Sequence, residues 1–197
     1  MKTKTLVVAV LAVLSAGSLL SAVPAIRYTS EAPFKDGKPV ESVWNSADRI
    51  GGFVTCLTLD TPTWDTEAKL LFDEQNLYLT VRCPFEPKYA QRDLKGGIGH
   101  LNNIEISIQS DVNAGDYVHV MFDTLGRVHT DRTKAVCKLP ITVAVENGTD
   151  FWRGNVTIPF KALGIAAPKE DRPVRVLIAR LNKNVPRDYK LFGNLYT

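Results

Sequence analysis

Between Lys69 and Cys83 the chain alternates. Leu77, Leu79, Val81 and Cys83 recur every second residue, with Tyr78, Thr80 and Arg82 between them. That is the period of a strand with one buried face. Leu70 and Phe72 give the preceding run a matching face, and Asp73-Glu74-Gln75-Asn76 predicts a short hairpin connection between the two. Burying one such apolar side chain is worth about 1.5–3 kcal/mol. The hairpin is therefore expected to be central, with other strands added to it.

The same alternation returns along the chain. Ile104, Ile106 and Ile108 alternate with Glu105, Ser107 and Gln109, and Tyr117 to Phe122 reads as the next strand. Asp123-Thr-Leu-Gly126 turns it into Arg127 to Thr130. Trp152, Gly154, Val156 and Ile158 share one face, as do Val174, Val176 and Ile178. Phe53 to Leu59 is a further strand, Lys134 to Glu146 one kinked at Pro140, and Asn147-Gly148 a hairpin turn. Leu191 to Tyr196 is placed to close a sheet edge. Helix is confined to single turns: Val40 to Ala47, with Val40, Val43, Trp44 and Ala47 on one side; Tyr89 to Leu94; and Pro159 to Gly164. About ten strands with so little helix indicate an all-β fold, two antiparallel sheets packed as a jelly-roll or immunoglobulin-like sandwich.

The first 25 residues read differently. Lys2 and Lys4 precede an apolar run from Leu6 to Leu14, then small residues up to Ala25. This is the pattern of a secretory signal peptide, with cleavage after Ala22 or Ala25. Ser15, Gly17 and Ser18 break the run too early for a membrane span. Residues 26–197 then form one domain, secreted or periplasmic. The formal charge of +3 falls by two with Lys2 and Lys4, and the remaining Lys and Arg are interspersed with acids. Neither a nucleic-acid partner nor, after cleavage, a membrane is implied.

Export permits a disulfide between two of Cys56, Cys83 and Cys137, although all three fall in strand-like segments that equally suit core packing. Their spacing matches no metal or redox motif, and no cofactor is implied. Structural calcium would suit an oxygen-rich loop such as Asp111 to Asp116, but no spacing there fixes a site. His119 and Met121 stand two apart on one strand and face the same way, whereas axial haem ligands approach from opposite sides. No Gly-x-Ser-x-Gly, His-Glu-x-x-His or phosphate-cradling loop occurs. The expectation is a protein that is not an enzyme.

Several motifs stand in a fixed order. They are Asp36-Gly37-Lys38 with Trp44, Leu71-Phe72-Asp73 with Asn76-Leu77-Tyr78, and Asn103-Ile104-Glu105-Ile106. After them come the Gly126 turn, Trp152 with Ile158-Pro159-Phe160 and Leu163-Gly164, Arg180, and Phe192-Gly193-Asn194-Leu195. In that order and spacing the chain resembles the family 9 carbohydrate-binding modules over most of residues 26–197. The resemblance implies a sandwich that binds sugar without catalysis, often beside a secreted glycoside hydrolase, and a role in polysaccharide or oligosaccharide breakdown. A surface protein is the alternative partner. Trp152, in phase with Val156 and Ile158, reads as core, Trp44 on the apolar side of its turn as a plug at one end of the sandwich, and Asp73 and Asn76 as hairpin residues.

Sugar-binding members clamp a ring between two tryptophans, and those positions align with Gly99 and Pro186. The family's sugar-binding glutamate matches Glu105. An arginine on the next strand is replaced by Met121, and two usual acids are Asn103 and Asn155. Stacking rings and polar rim groups are what hold a sugar, so the candidate carbohydrate-binding residues are Glu105, His100, Tyr189 and Trp64. His100 and Tyr189 neighbour the lost tryptophans, and Trp64 stands in a polar, proline-containing loop. The competing reading of Glu105 is a salt bridge to Arg82 or Arg180. The competing reading of the protein is an extracytoplasmic interaction or structural domain that has lost the sugar clamp.

Overall fold

The computed structural model describes residues 26–55, 59–86, 97–98, 102–109, 115–133, 135–169 and 174–181, and the backbone of short strands at 5–6, 190–192 and 195–196. In chain order the first strands are β1 (Thr5–Leu6), β2 (Ile26–Tyr28), β3 (Phe34–Lys35), β4 (Lys38–Pro39), β5 (Val54–Thr55), β6 (Glu67–Phe72), β7 (Asn76–Pro84) and β8 (Asn103–Gln109). They continue as β9 (Val118–Asp123), β10 (Val128–Arg132), β11 (Ala135–Val136), β12 (Thr142–Asn147) and β13 (Phe151–Pro159). β14 (Arg175–Leu181), β15 (Lys190–Phe192) and β16 (Leu195–Tyr196) complete the set. Two helical turns, α1 (Glu41–Trp44) and α2 (Phe160–Leu163), follow β4 and β13.

One sheet runs β1-β2-β6-β7-β13-β12 and the other β11-β10-β9-β8-β14-β15-β5, with β16 also on β14. The expected β6–β7 hairpin is at the centre of the smaller sheet. Its turn is fixed by Asp73, whose Oδ1 accepts from the N–H groups of Gln75 and Asn76, both at 2.7 Å. Pairing is antiparallel throughout the described strands except where β2 joins β6 in parallel, Arg27 opposite Leu71. Leu70, Phe72, Leu77, Leu79, Val81, Cys83, Trp152, Val156 and Ile158 from one sheet pack on Ile104, Ile106, Ile108, Val118, Val120, Phe122, Val176 and Ile178 from the other. These are the alternating positions read from the pattern.

The smaller sheet is covered on its outer side as well. Trp44, Val43 and Ala47 pack on Leu71 and Tyr78, with Phe34 and Val40 at the margin. Trp44 donates from Nε1 to the carbonyl of Pro33 at 2.7 Å. The apolar side of this turn was legible, but it lies across a sheet face and plugs no end of the sandwich. Asn155 ties the β3–β4 hairpin to the same face: its Nδ2 donates to the carbonyl of Gly37 at 2.9 Å, and its Oδ1 accepts from Thr80 at 2.8 Å.

The segment expected as one kinked strand divides. β11 ends the larger sheet and β12 ends the smaller one, so the chain passes between sheets around Pro140. Cys83 and Cys137 are free thiols, which removes the disulfide from consideration for both; Cys56 lies outside the described residues. Burial pushes the Cys83 thiol up to about 11, so this cysteine serves as core. No helix among the described residues is long and apolar enough to cross a membrane.

Candidate functional site

The larger sheet presents its polar side outward on β8, β9 and β10. Alternation sends the isoleucines of β8 and Val118, Val120 and Phe122 of β9 to the core, leaving the intervening residues on the opposite face. The register then forms two rows. Ser107 lies opposite His119 and His119 opposite Asp131; beside them, Glu105 lies opposite Met121 and Met121 opposite His129. No apolar cluster covers this face among the described residues, in contrast to the outer side of the smaller sheet.

The turn before β10 sets that register. Asp123, fully buried, accepts on Oδ1 from the N–H groups of Leu125 (2.9 Å) and Arg127 (3.1 Å). Its Oδ2 accepts from Arg127 Nε at 2.6 Å. Gly126, at φ +73°, takes the left-handed position the turn requires.

Four titratable side chains meet on the two rows. His119 Nδ1 lies 2.9 Å from Asp131 Oδ2, and its Nε2 lies 3.6 Å from Glu105 Oε2. His129 Nε2 lies 3.6 Å from the same Asp131 oxygen. A carboxylate can only accept, so with Asp131 ionised His119 Nδ1 carries the hydrogen. Glu105 foremost, and Asp131 with it, raise the imidazole's pKa above its usual 6.5 against the opposing effect of burial. The cluster thus holds two carboxyl groups and two imidazoles, His119 drawn toward its charged form.

Of the predicted site residues, Glu105 is on this face. Its partner is His119, and neither Arg82 nor Arg180 takes that role. Arg180 points into the sandwich, donating from Nη1 to Thr66 Oγ1 at 3.2 Å and from Nη2 to the Pro84 carbonyl at 2.8 Å. Arg82 belongs to the other sheet and lies over the Phe151 ring, 4.5 Å from its centroid. Trp64 is half-buried in the segment between β5 and β6, on neither of the two rows that carry the cluster. His100 and Tyr189, with Gly99 and Pro186, lie outside the described residues. The register does bring the starts of β8 and β15 to one place, since Asn103 and Lys190 both pair with Leu181. Asn103 is buried and donates from Nδ2 to the Ile98 carbonyl at 3.4 Å, and Asn155 is occupied by the β3–β4 hairpin; both serve the scaffold.

Sequence reasoning placed His119 and Met121 on one face but missed Asp131 and His129. The signal was present in the Asp123–Gly126 turn, from which the cross-strand pairs can be counted. Of the calcium loop, Asp116 is described; its carboxylate accepts from Thr133 and from Arg132 Nη1 at 3.1 Å. No group of three or more His, Cys, Asp or Glu suited to a metal occurs among the described residues.

No family model and no curated protein matches this chain in sequence. Solved structures do match it in fold. A carbohydrate-binding module of family 9 from Caldicellulosiruptor kristjanssonii, in complex with glucose, is 17% identical, with 85% of this chain and 84% of that chain covered at a TM-score of 0.59. The same module type from that organism in complex with cellotriose is 14% identical, with 86% and 82% covered at 0.58. A protein from Bacteroides uniformis ATCC 8492 whose proposed role is carbohydrate binding is 10% identical, with 86% and 88% covered at 0.64. The chain therefore has the two-sheet fold of these carbohydrate-binding modules, as its motif order implied.

Proposed function

We propose that this protein is a non-catalytic carbohydrate-binding module that works outside the cytoplasm, in the breakdown of poly- or oligosaccharides and beside a secreted glycoside hydrolase or a surface protein. One observation carries the reading. The fold is shared with modules solved with glucose and cellotriose, and Glu105, which the motif resemblance matches to the family's sugar-binding glutamate, sits on the polar outer face of the larger sheet with its carboxylate partly exposed. A carboxylate there accepts from ligand hydroxyls, the directional part of sugar recognition. Titration calorimetry of the purified protein with glucose and cellotriose tests it. Binding that is lost in Glu105→Gln supports the reading. Failure across these and a panel of other oligosaccharides sinks it.

The replacement of both clamp tryptophans by Gly99 and Pro186 favours a second reading, an interaction domain on the same scaffold. It gains if no sugar binds while a secreted hydrolase or surface protein is retained by the immobilised domain. Export is part of the proposal, with residues 1–22 or 1–25 removed. The intact mass of protein recovered from the periplasm or medium checks it, the expected N-terminus being Val23 or Ile26.

A further inference from the structure

His119 occupies the place where it can control Glu105. Asp131 fixes the ring through Nδ1 at 2.9 Å, and this leaves Nε2 directed at the Glu105 carboxylate 3.6 Å away. The charged or titratable groups facing the ring among the described residues are Glu105 from β8 and Asp131 from β10, with His129, also on β10, 3.6 Å from the same Asp131 oxygen. Met121 on its own strand is uncharged. Arg175, on β14, lies beyond β8 and donates to Gln109 Oε1 at 3.4 Å.

The two protonation states of His119 present different surfaces. Protonated, Nε2–H is a donor aimed at Glu105, and a carboxylate so engaged has less to offer a ligand hydroxyl. Neutral, with the hydrogen kept on Nδ1 by Asp131, Nε2 becomes an acceptor. Glu105 is then released, and the two atoms form a pair of acceptors spaced for the hydroxyl donors of one ligand. We propose that His119 is a positioning residue for Glu105 and that its proton acts as a catch, closing the pair when present and opening it to ligand hydroxyls when lost. This rests on the carbohydrate-binding reading for its ligand but not for the catch itself.

The experiment therefore has two arms. Without ligand, the His119 imidazole is titrated by NMR in the wild-type chain, in Glu105→Gln and in Asp131→Asn. The catch requires the midpoint to fall in both variants; a midpoint that stays put in Glu105→Gln overturns it. With cellotriose as the probe, affinity is measured across about pH 5 to 9, a range that brackets the usual histidine value. Affinity is expected to rise several-fold as His119 loses its proton, and the rise is expected to vanish in His119→Gln, whose unfolding midpoint is checked in parallel. A pH-independent wild type, or a rise retained in His119→Gln, overturns the proposal. If cellotriose binds at no pH, the sugar reading fails for this ligand while the ligand-free arm still decides the catch.

Discussion

Gly154 lacks a side chain for a reason that lies in the opposite sheet. A Cβ built there would stand 2.2 Å from Cε2 of Phe122, whose ring meets Trp152 edge-on at 6.0 Å. Neither ring has room to retreat, since both are fully buried. Gly154→Ala is therefore expected to destabilise the fold by about 1–3 kcal/mol, the usual cost of overpacking a core, read from urea unfolding. Phe122→Leu in the same chain should recover part of that loss. His119 gives a residue-scale prediction of opposite character. Its folded pKa is raised above the unfolded value of about 6.5. Its contribution to stability is then full below that value and lost as pH rises through the folded one. The stability gap between wild type and His119→Gln should be full below the unfolded value and narrow as pH rises through the raised folded one, and a gap that widened would contradict the geometry.

The turn between β6 and β7 shows how one side chain holds an element. Asp73 accepts from two turn N–H groups and from the Tyr78 hydroxyl at 2.6 Å. Burial, and then this hydrogen bond, push the Tyr78 phenol up to about 12. Asp73→Ala strips all three donors of their acceptor. It should cost about 1–2 kcal/mol in urea unfolding and bring the Tyr78 titration down from its raised value, as followed by ultraviolet absorbance. At this scale most of the fold was legible, because a strand with one buried face writes that face into every second residue. Leu77 to Cys83 and Ile104 to Ile108 did so without ambiguity. β11 and β12 did not: both are edge strands, both residues of β11 are exposed, and the passage at Pro140 from one sheet to the other leaves no period to read. Trp44 was legible as buried but not as to what it covers, since a helical turn marks its apolar side and not its partner. The cluster was half legible for the same reason. Glu105 and His119 announce themselves as outward positions on their own strands, whereas Asp131 and His129 join them only through a register between strands.

Among the described residues the two sheets are built differently, and the proposed binding face follows from that difference. The smaller sheet is apolar on both sides, against the larger sheet inside and against Trp44, Val43 and Ala47 outside. Three of its outer polar side chains are already engaged: Thr80 bonds Asn155, Asn155 holds the β3–β4 hairpin, and Lys69 Nζ donates to the Trp44 carbonyl at 3.3 Å. The larger sheet spends its apolar residues inward and keeps two rows of polar and titratable groups on the other face. A ligand rich in hydroxyls needs acceptors and donors, and among the described residues Glu105, Ser107, His119, His129 and Asp131 bring these together on β8–β10. Amide chemical shifts recorded with and without cellotriose should accordingly move at Glu105, Ser107, His119, Met121 and Asp131. The amides of Trp44, Leu71 and Tyr78, on the covered side of the other sheet, should stay still. Shifts confined to the β6–β7 side would mean that the ligand uses a surface the fold has already closed, and the assignment of the larger sheet's outer face as the binding face would fall with them.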